Sequence, residues 1–215
     1  KKWRLSFEMF KNMNKEPIQD WIETDETIQG KTIALDGDTV NGDALYVQLF
    51  RNTEHWQTSL FYRNISPQYR ADVGFVVKNN RRWGTLFHQY QNIINKPGLQ
   101  SFGFGTKIDV VYTFEDLYKN FSIDFFAFLK TFGQTELRYT ADYDAVKTFL
   151  NIRYTNLPTH EFSISGSPSE SINFRLNLVA GKDLSVNETT PEVGVLRSAF
   201  LTFGIQVNDN ININP

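Results

Sequence analysis

Apolar and polar side chains alternate one for one over long stretches of this chain, and a period of two admits only extended strands. Trp3, Leu5, Phe7 and Met9 interleave with Arg4, Ser6 and Glu8. Ile108, Val110, Tyr112 and Phe114 do so with Lys107, Asp109 and Thr113, and Phe121, Ile123 and Phe125 with Asn120, Ser122 and Asp124. Nearer the end, Leu150, Ile152 and Tyr154 alternate with Asn151 and Arg153; Ile172, Phe174, Leu176 and Leu178 with Asn173, Arg175 and Asn177; and Ala199, Leu201, Phe203, Ile205 and Val207 with Ser198, Thr202, Gly204 and Gln206. Helical spacing competes nowhere over a comparable length. The fold class expected is all-β.

Strand length narrows the class. Segments such as 170–180 and 195–208 run to at least the roughly nine to eleven residues of a tilted membrane strand, against about five or six in soluble sheets. Aromatic residues make up 15% and charged residues 21%, so large rings are dispersed among polar neighbours. A sheet with one face in lipid and one in water has that composition, and so does a soluble β-sandwich. Roughly ten to twelve strands are expected, beginning near Lys2, Ala44, Trp56, Asp72, Trp83, Phe104, Tyr118, Thr135, Lys147, Glu161, Ser171 and Val195. Turns are expected at Asp36, Gly37 and Asp38; Asn41, Gly42 and Asp43; Asn79 and Asn80; Lys96, Pro97 and Gly98; Ser167, Pro168 and Ser169; and Gly181, Lys182 and Asp183. Short turns alternate with longer polar stretches, a barrel habit. The stretch 12–42 is the least regular and reads as a loop with a short hairpin.

The totals exclude several classes of function. Net charge is −2 and no basic cluster exceeds Arg81 and Arg82, so nucleic acid is not an expected partner. Cysteine is absent, which removes disulfides, thiolate metal sites and cysteine nucleophiles. No run of about 18 apolar residues provides a membrane helix. No signal peptide is recognisable, and the chain reads as one β domain over 1–215 or a piece of a larger barrel.

Candidate chemistry is sparse. His55, His88 and His160 have no metal-ligand spacing. Asp142 and Asp144 flank Tyr143 and project to one strand face, where paired carboxylates could act as acid and base; a water-facing strand explains them more cheaply. Asp36, Asp38, Asn41 and Asp43 form an oxygen-rich loop that could hold calcium, but it lacks the spaced loop ending in a bidentate Glu, and turn chemistry calls for the same residues. Gly103 and Gly105 precede no helix, so they cradle no phosphate. Trp56, Trp83, Tyr90, Tyr118 and Tyr154 sit near expected strand ends, as an interfacial aromatic girdle or, alternatively, a sugar-stacking platform. No catalytic residue, cofactor or resident metal is expected, and no enzymatic activity.

One stretch, 64–76, is more specific: Ile65, Ser66 and Pro67, then Arg70, Ala71 and Asp72, then Gly74, Phe75 and Val76. It resembles a signature of a bacterial outer-membrane family in which a periplasmic family-9-like carbohydrate-binding domain precedes a large C-terminal β-barrel. The likeness covers 56–90 and departs at Lys78, Asn79 and Asn80, where the family carries Arg and Asp. On the residues alone, Ser66 and Pro67 open a turn, and Gly74 inside a strand suggests a bulge or a close backbone approach, with Phe75 beside it able to cover the bare glycine. The resemblance implies an outer-membrane location, lipid as surroundings, other outer-membrane or periplasmic proteins as partners, and glycans only through a domain absent here. The expected function is a pore, transport or membrane-scaffold component of undefined role. The alternative is a soluble carbohydrate-binding β-sandwich. On the first reading Leu150, Ile152, Ile172, Phe174, Leu176, Leu201, Phe203 and Ile205 face lipid, while Asn151, Arg153, Asn173, Arg175 and Gln206 face a lumen.

Overall fold

The computed structural model describes residues 2–15, 18, 27–28, 31–32, 37, 39–69, 79–115, 118–131, 134–150, 152–169, 171–185, 191–208 and 211–213. The chain is all-β. Strand β1 (Lys2–Lys15) is followed by a hairpin of β2 (Thr27–Ile28) and β3 (Lys31–Thr32), then by β4 (Thr39–Asn52), β5 (Trp56–Ile65), β6 (Arg81–Lys96), β7 (Leu99–Tyr112) and β8 (Tyr118–Thr131). Next come β9 (Thr135–Phe149), β10 (Ile152–Ser169), β11 (Ile172–Leu184), β12 (Val193–Asn208) and the short β13 (Ile211–Ile213). All but β2 and β3 form one eleven-stranded antiparallel meander in chain order, and the sheet is not closed on itself among the described residues. Its strands, β13 apart, run from ten residues in β5 to eighteen in β10.

The two ends of the sheet differ. At one, neighbouring strands are joined by residues 53–55, 97–98, 132–134, 170–171 and 209–210. At the other, the connections span 16–38, 66–80, 113–117, 150–151 and 185–192. The turns at Asn79 and Asn80 and at Pro97 and Gly98 lie where the sequence marks them, with Asn80 at φ 52° and Gly98 at φ 83°. Three other turn signals lie inside strands. Asn41, Gly42 and Asp43 belong to β4, Gly181 to Asp183 to β11, and Ser167 to Ser169 to the end of β10, where a bulge disturbs pairing with β11. Gly181 is there for clearance, because a Cβ would strike the Pro158 carbonyl and Thr159. The strand starts expected at Lys147 and Glu161 fall inside β9 and β10, while Asp72, Gly74 and Phe75 lie outside the described residues.

Register sorts the side chains, since residues directly opposite in antiparallel strands share a face. One row crosses Leu5, Leu49, Leu60, Leu86, Ile108, Ile123, Tyr143 and Pro158. Along each strand, alternate residues beside this row continue an apolar, exposed face: Trp3, Phe7, Tyr62, Phe104, Phe125, Tyr139, Phe162, Leu178, Leu201 and Phe203. The other face carries Arg4, Glu8, Gln48, Ser59, Thr85, Lys107, Asp124, Thr140, Ser163 and Asn177. Ile172, Phe174, Leu176, Leu201, Phe203 and Ile205 share the apolar face, and Asn173 and Arg175 the polar one, as the period of two requires.

The apolar band does not run straight along the hydrogen-bond rows. On β1 it spans Trp3 to Met9, centred one residue past Leu5. Carried one pair beyond Thr159↔Gly181, the Leu5 row reaches Lys182 on β11, which faces Val195 on β12, where the band spans Ala199 to Ile205. Its centre there is seven residues from Val195 in the opposite sense, so the band drifts eight residues in nine strand-to-strand steps. With about 3.3 Å per residue and 4.8 Å between strands, a level apolar belt therefore crosses strands tilted by about 30°.

A slip between β8 and β9 turns the faces over. Between Ser122↔Asp144 and Phe121↔Val146 the register of β8 on β9 slips by one, leaving Ala145 extra, and Asn156 on β10 adopts φ 62°. Beyond the slip Lys147 shares the polar face with Asn120, Tyr154 and both of its carboxylate partners. Alternation then carries Ile152 to the polar side and Arg153 to the apolar side, the reverse of the sequence expectation. Leu150 is a turn residue at φ 48°, and Asn151 and the Gln206 side chain lie outside the described residues.

Candidate functional site: the polar face of the sheet

Strands β7, β8 and β9 bring four carboxylates together on the polar face. Lys107, Asp124 and Asp142 form one cross-strand row, and Asp109, Ser122 and Asp144 the next. Lys107 pairs with Asp109 and lies 3.9 Å from Asp124. Asp109 also accepts hydrogen bonds from Thr85 Oγ1 and, at 3.2 Å, from Trp83 Nε1. Lys147 bridges Asp144 at 3.6 Å and Asp183 of β11 at 3.1 Å. Asp142 and Asp144 are thus half of a larger patch. Sequence reasoning missed Asp109 and Asp124 because register, not spacing, brings them in.

Toward the end with the longer connections the sign reverses. Arg63 stacks over Tyr46, Phe61 and Trp83 at 4.7, 5.4 and 5.7 Å, and Arg81 lies 5.1 Å from the Trp83 ring. A cavity of about 440 Å³ opens there beside Asn79, Asn80, Arg81, Tyr112, Lys119 and Thr148. Asn80 donates to both Glu115 carboxylate oxygens, at 3.2 and 2.9 Å, and accepts from the Phe114 amide. The Asn80 bond is the largest influence on Glu115 and holds its carboxyl below the usual glutamate range. The polar face is therefore divided into an arginine–aromatic zone and an acidic zone.

The aromatic residues expected as one girdle divide between faces. Trp56 and Tyr90 lie on the apolar face, ring centroids 5.0 Å apart, with Trp56 stacked on His88 at 4.8 Å and Tyr90 5.4 Å from Phe104. Trp83 is on the polar face with its N–H on Asp109, and Tyr154 donates to the Pro191 carbonyl from that face. The Tyr118 side chain lies outside the described residues. His88 is bonded to Thr58 at 2.9 Å and His160 to the Tyr139 hydroxyl at 2.8 Å, while His55 occupies the 53–55 turn. The three are not gathered, and no group of three or more His, Asp or Glu able to hold a metal exists among the described residues. Of the calcium candidates, Asn41 and Asp43 are strand residues of β4 rather than parts of a loop, and Asp36 and Asp38 lie outside the described residues. Gly103 and Gly105 pack under the Phe128 and Phe126 rings, which take the space a Cβ would need.

No protein-family model, curated protein or solved structure matches this chain.

Proposed function

We propose that this chain is part of the wall of a bacterial outer-membrane β-barrel, with its apolar face in lipid and its polar face lining a water-filled lumen, serving as a pore, transport or scaffold component. The observation that carries the reading is the drift of the apolar band. A level belt crossing strands tilted by about 30° is what a bilayer imposes on a barrel, just under the roughly 35–45° usual for transmembrane barrels. Strand lengths of ten to eighteen residues and the unequal connections at the two ends support it. So does the Trp56, Tyr90 and Phe104 cluster, placed as an interfacial girdle on the apolar side. A sandwich would lay a second sheet on Leu60, Leu86 and Ile108, yet every long strand among the described residues belongs to one sheet.

In lipid an unpaired strand edge strands N–H and C=O groups at several kcal/mol each. The outer edge of β1 has no partner strand among the described residues, and the proposed barrel requires that edge to be paired. The chain carries no catalysis of its own; its carboxylates act by shaping the field of the lumen. The test is to fold the full-length protein into lipid vesicles and follow heat-modifiable migration in gels together with release of trapped small polar solutes. A lipid-dependent folded band with solute release is expected for a pore, and the folded band without release for a scaffold. A protein that stays monodisperse and folded in buffer without detergent would refute the membrane assignment.

A further inference from the structure

The connection that follows β5 turns inward. Ser66 extends the β4–β5 ladder by one pair, its N–H donating to the Asp43 carbonyl at 2.9 Å while its Oγ accepts from the Asp43 amide at 2.8 Å. Pro67 then occupies the second position of a turn closed by the Tyr69 N–H on the Ser66 carbonyl at 3.1 Å. The turn does not continue away from the sheet. The backbone of Gln68 and Tyr69 lies directly on Gly42, in the space any Cβ there would occupy. Gly42 faces Asn12 and alternates with Asp43, so the contact is on the polar side. Around it, Val40, Ala44 and Ile65 are 1%, 0% and 3% exposed. Two further bonds tie the turn down: Gln68 Oε1 accepts from the Asn41 amide at 3.5 Å, and Asn79 Nδ2 donates to the Pro67 carbonyl at 2.6 Å.

A glycine inside a β-strand weakens the strand unless something must approach it closely. Here that something is main chain, held by four bonds beyond the turn's own. We propose that residues 66–69 form a strap folded into the lumen, docked on Gly42, that narrows the mouth beside the Arg63 and Arg81 zone and sets the size of solute that passes. The inference rests on the barrel reading above, and adds that the gate is the turn itself and the latch is the bare face of Gly42. Tyr46, Arg63 and Trp83 lie two same-face rows further in than Gly42, so a solute clearing the strap meets the arginine–aromatic zone first and the acidic patch next.

The test uses the full-length protein in vesicles, with Tyr69→Cys as reporter, since Tyr69 joins the strap through its backbone alone, and Gly42→Leu as the perturbation. In the parent background a small polar maleimide should label Tyr69→Cys, while a PEG-maleimide too large to enter the lumen should not. Gly42→Leu should keep the heat-modifiable folded form, expose the cysteine to the large reagent at least several-fold faster, and raise the size limit for sugar and PEG uptake. Should Gly42→Leu not fold, Ser66→Ala combined with Pro67→Gly loosens the strap from its own side and is judged by the same two readouts. Fast labelling by the large reagent in the parent would overturn the proposal while leaving the barrel standing. So would an unchanged size limit once the strap is displaced. Absence of any lipid-inserted folded form of the parent would instead sink the barrel reading on which the strap depends.

Discussion

Replacing Leu86 by arginine tests the lipid assignment where it is most exposed to failure. Leu86 sits between Leu60 and Ile108 in the central apolar row, and along β6 the outward residues turn polar at Arg82 and Asn92. At about 3.3 Å per residue and a tilt of about 30°, Leu86 lies about 11 Å in depth from Arg82 and about 17 Å from Asn92, near the middle of a belt about 25 Å tall. An arginine there should cost about 2–4 kcal/mol, a shift of roughly 30-fold to several-hundred-fold in the folding equilibrium. Leu176 should behave alike despite lying six rows away along the ladder, because the band has drifted to it by β11. Asn64→Arg, level with Arg82 at the edge, should cost about 0–1 kcal/mol, and Gln48→Arg and Asn177→Arg on the polar face little. The assay is equilibrium denaturant titration of refolding into vesicles. Equal costs for Leu86→Arg and Gln48→Arg would refute the assigned faces, and a large cost at Leu86 with none at Leu176 would refute the tilt.

Three further outcomes follow from particular contacts. Asp124 and Asp142 face each other with like charge, so Asp142→Asn should stabilise the fold by about 0.2–1 kcal/mol in the same titration at neutral pH; a loss of stability would show the pair to be held by something else. Asn156 is left-handed at φ 62°, so Asn156→Val should cost about 1–2 kcal/mol while Asn156→Gly is nearly neutral by thermal melting in detergent. Because Glu115 is held below its ordinary pKa, its bond to Asn80 stabilises fully above that ordinary value and fades as pH falls through the lowered one. Glu115→Gln should therefore melt below the parent at neutral pH and alike in acid, and a gap independent of pH would contradict this.

The alternation of Phe121, Ile123 and Phe125, or of Ile172, Phe174 and Leu176, was enough to define strands and their faces, because one residue of slip would turn the whole set over. Turn chemistry was a poorer guide. Gly42 and Gly181 are glycines of close approach inside strands, and next to Asn or Asp they are indistinguishable in sequence from glycines of reversal. Ile152 and Arg153 changed sides because Ala145 and Asn156 insert a slip that leaves the hydrophobic pattern looking continuous. Near a strand end Trp83 looks like a membrane-surface ring, yet its indole N–H finds Asp109 on the polar face, a partner 26 residues away that only register supplies. The acidic patch was half legible for the same reason: Asp142 and Asp144 share a strand, whereas Asp109 and Asp124 are neighbours only in the folded sheet.

The most direct measurement of the central claim is a nitroxide scan along β6 from Gly84 to Tyr90, in the full-length protein folded into vesicles, reading collision with oxygen dissolved in lipid and with a water-soluble nickel chelate. The account predicts strict alternation: Gly84, Leu86, His88 and Tyr90 collide with oxygen, with Leu86 and His88 the deepest, while Thr85, Phe87 and Gln89 collide with the chelate or are shielded by their polar-face neighbours. If Leu86 and His88 were instead shielded from both reagents, the apolar face would be packed in a dry core, and the barrel wall would give way to a sandwich.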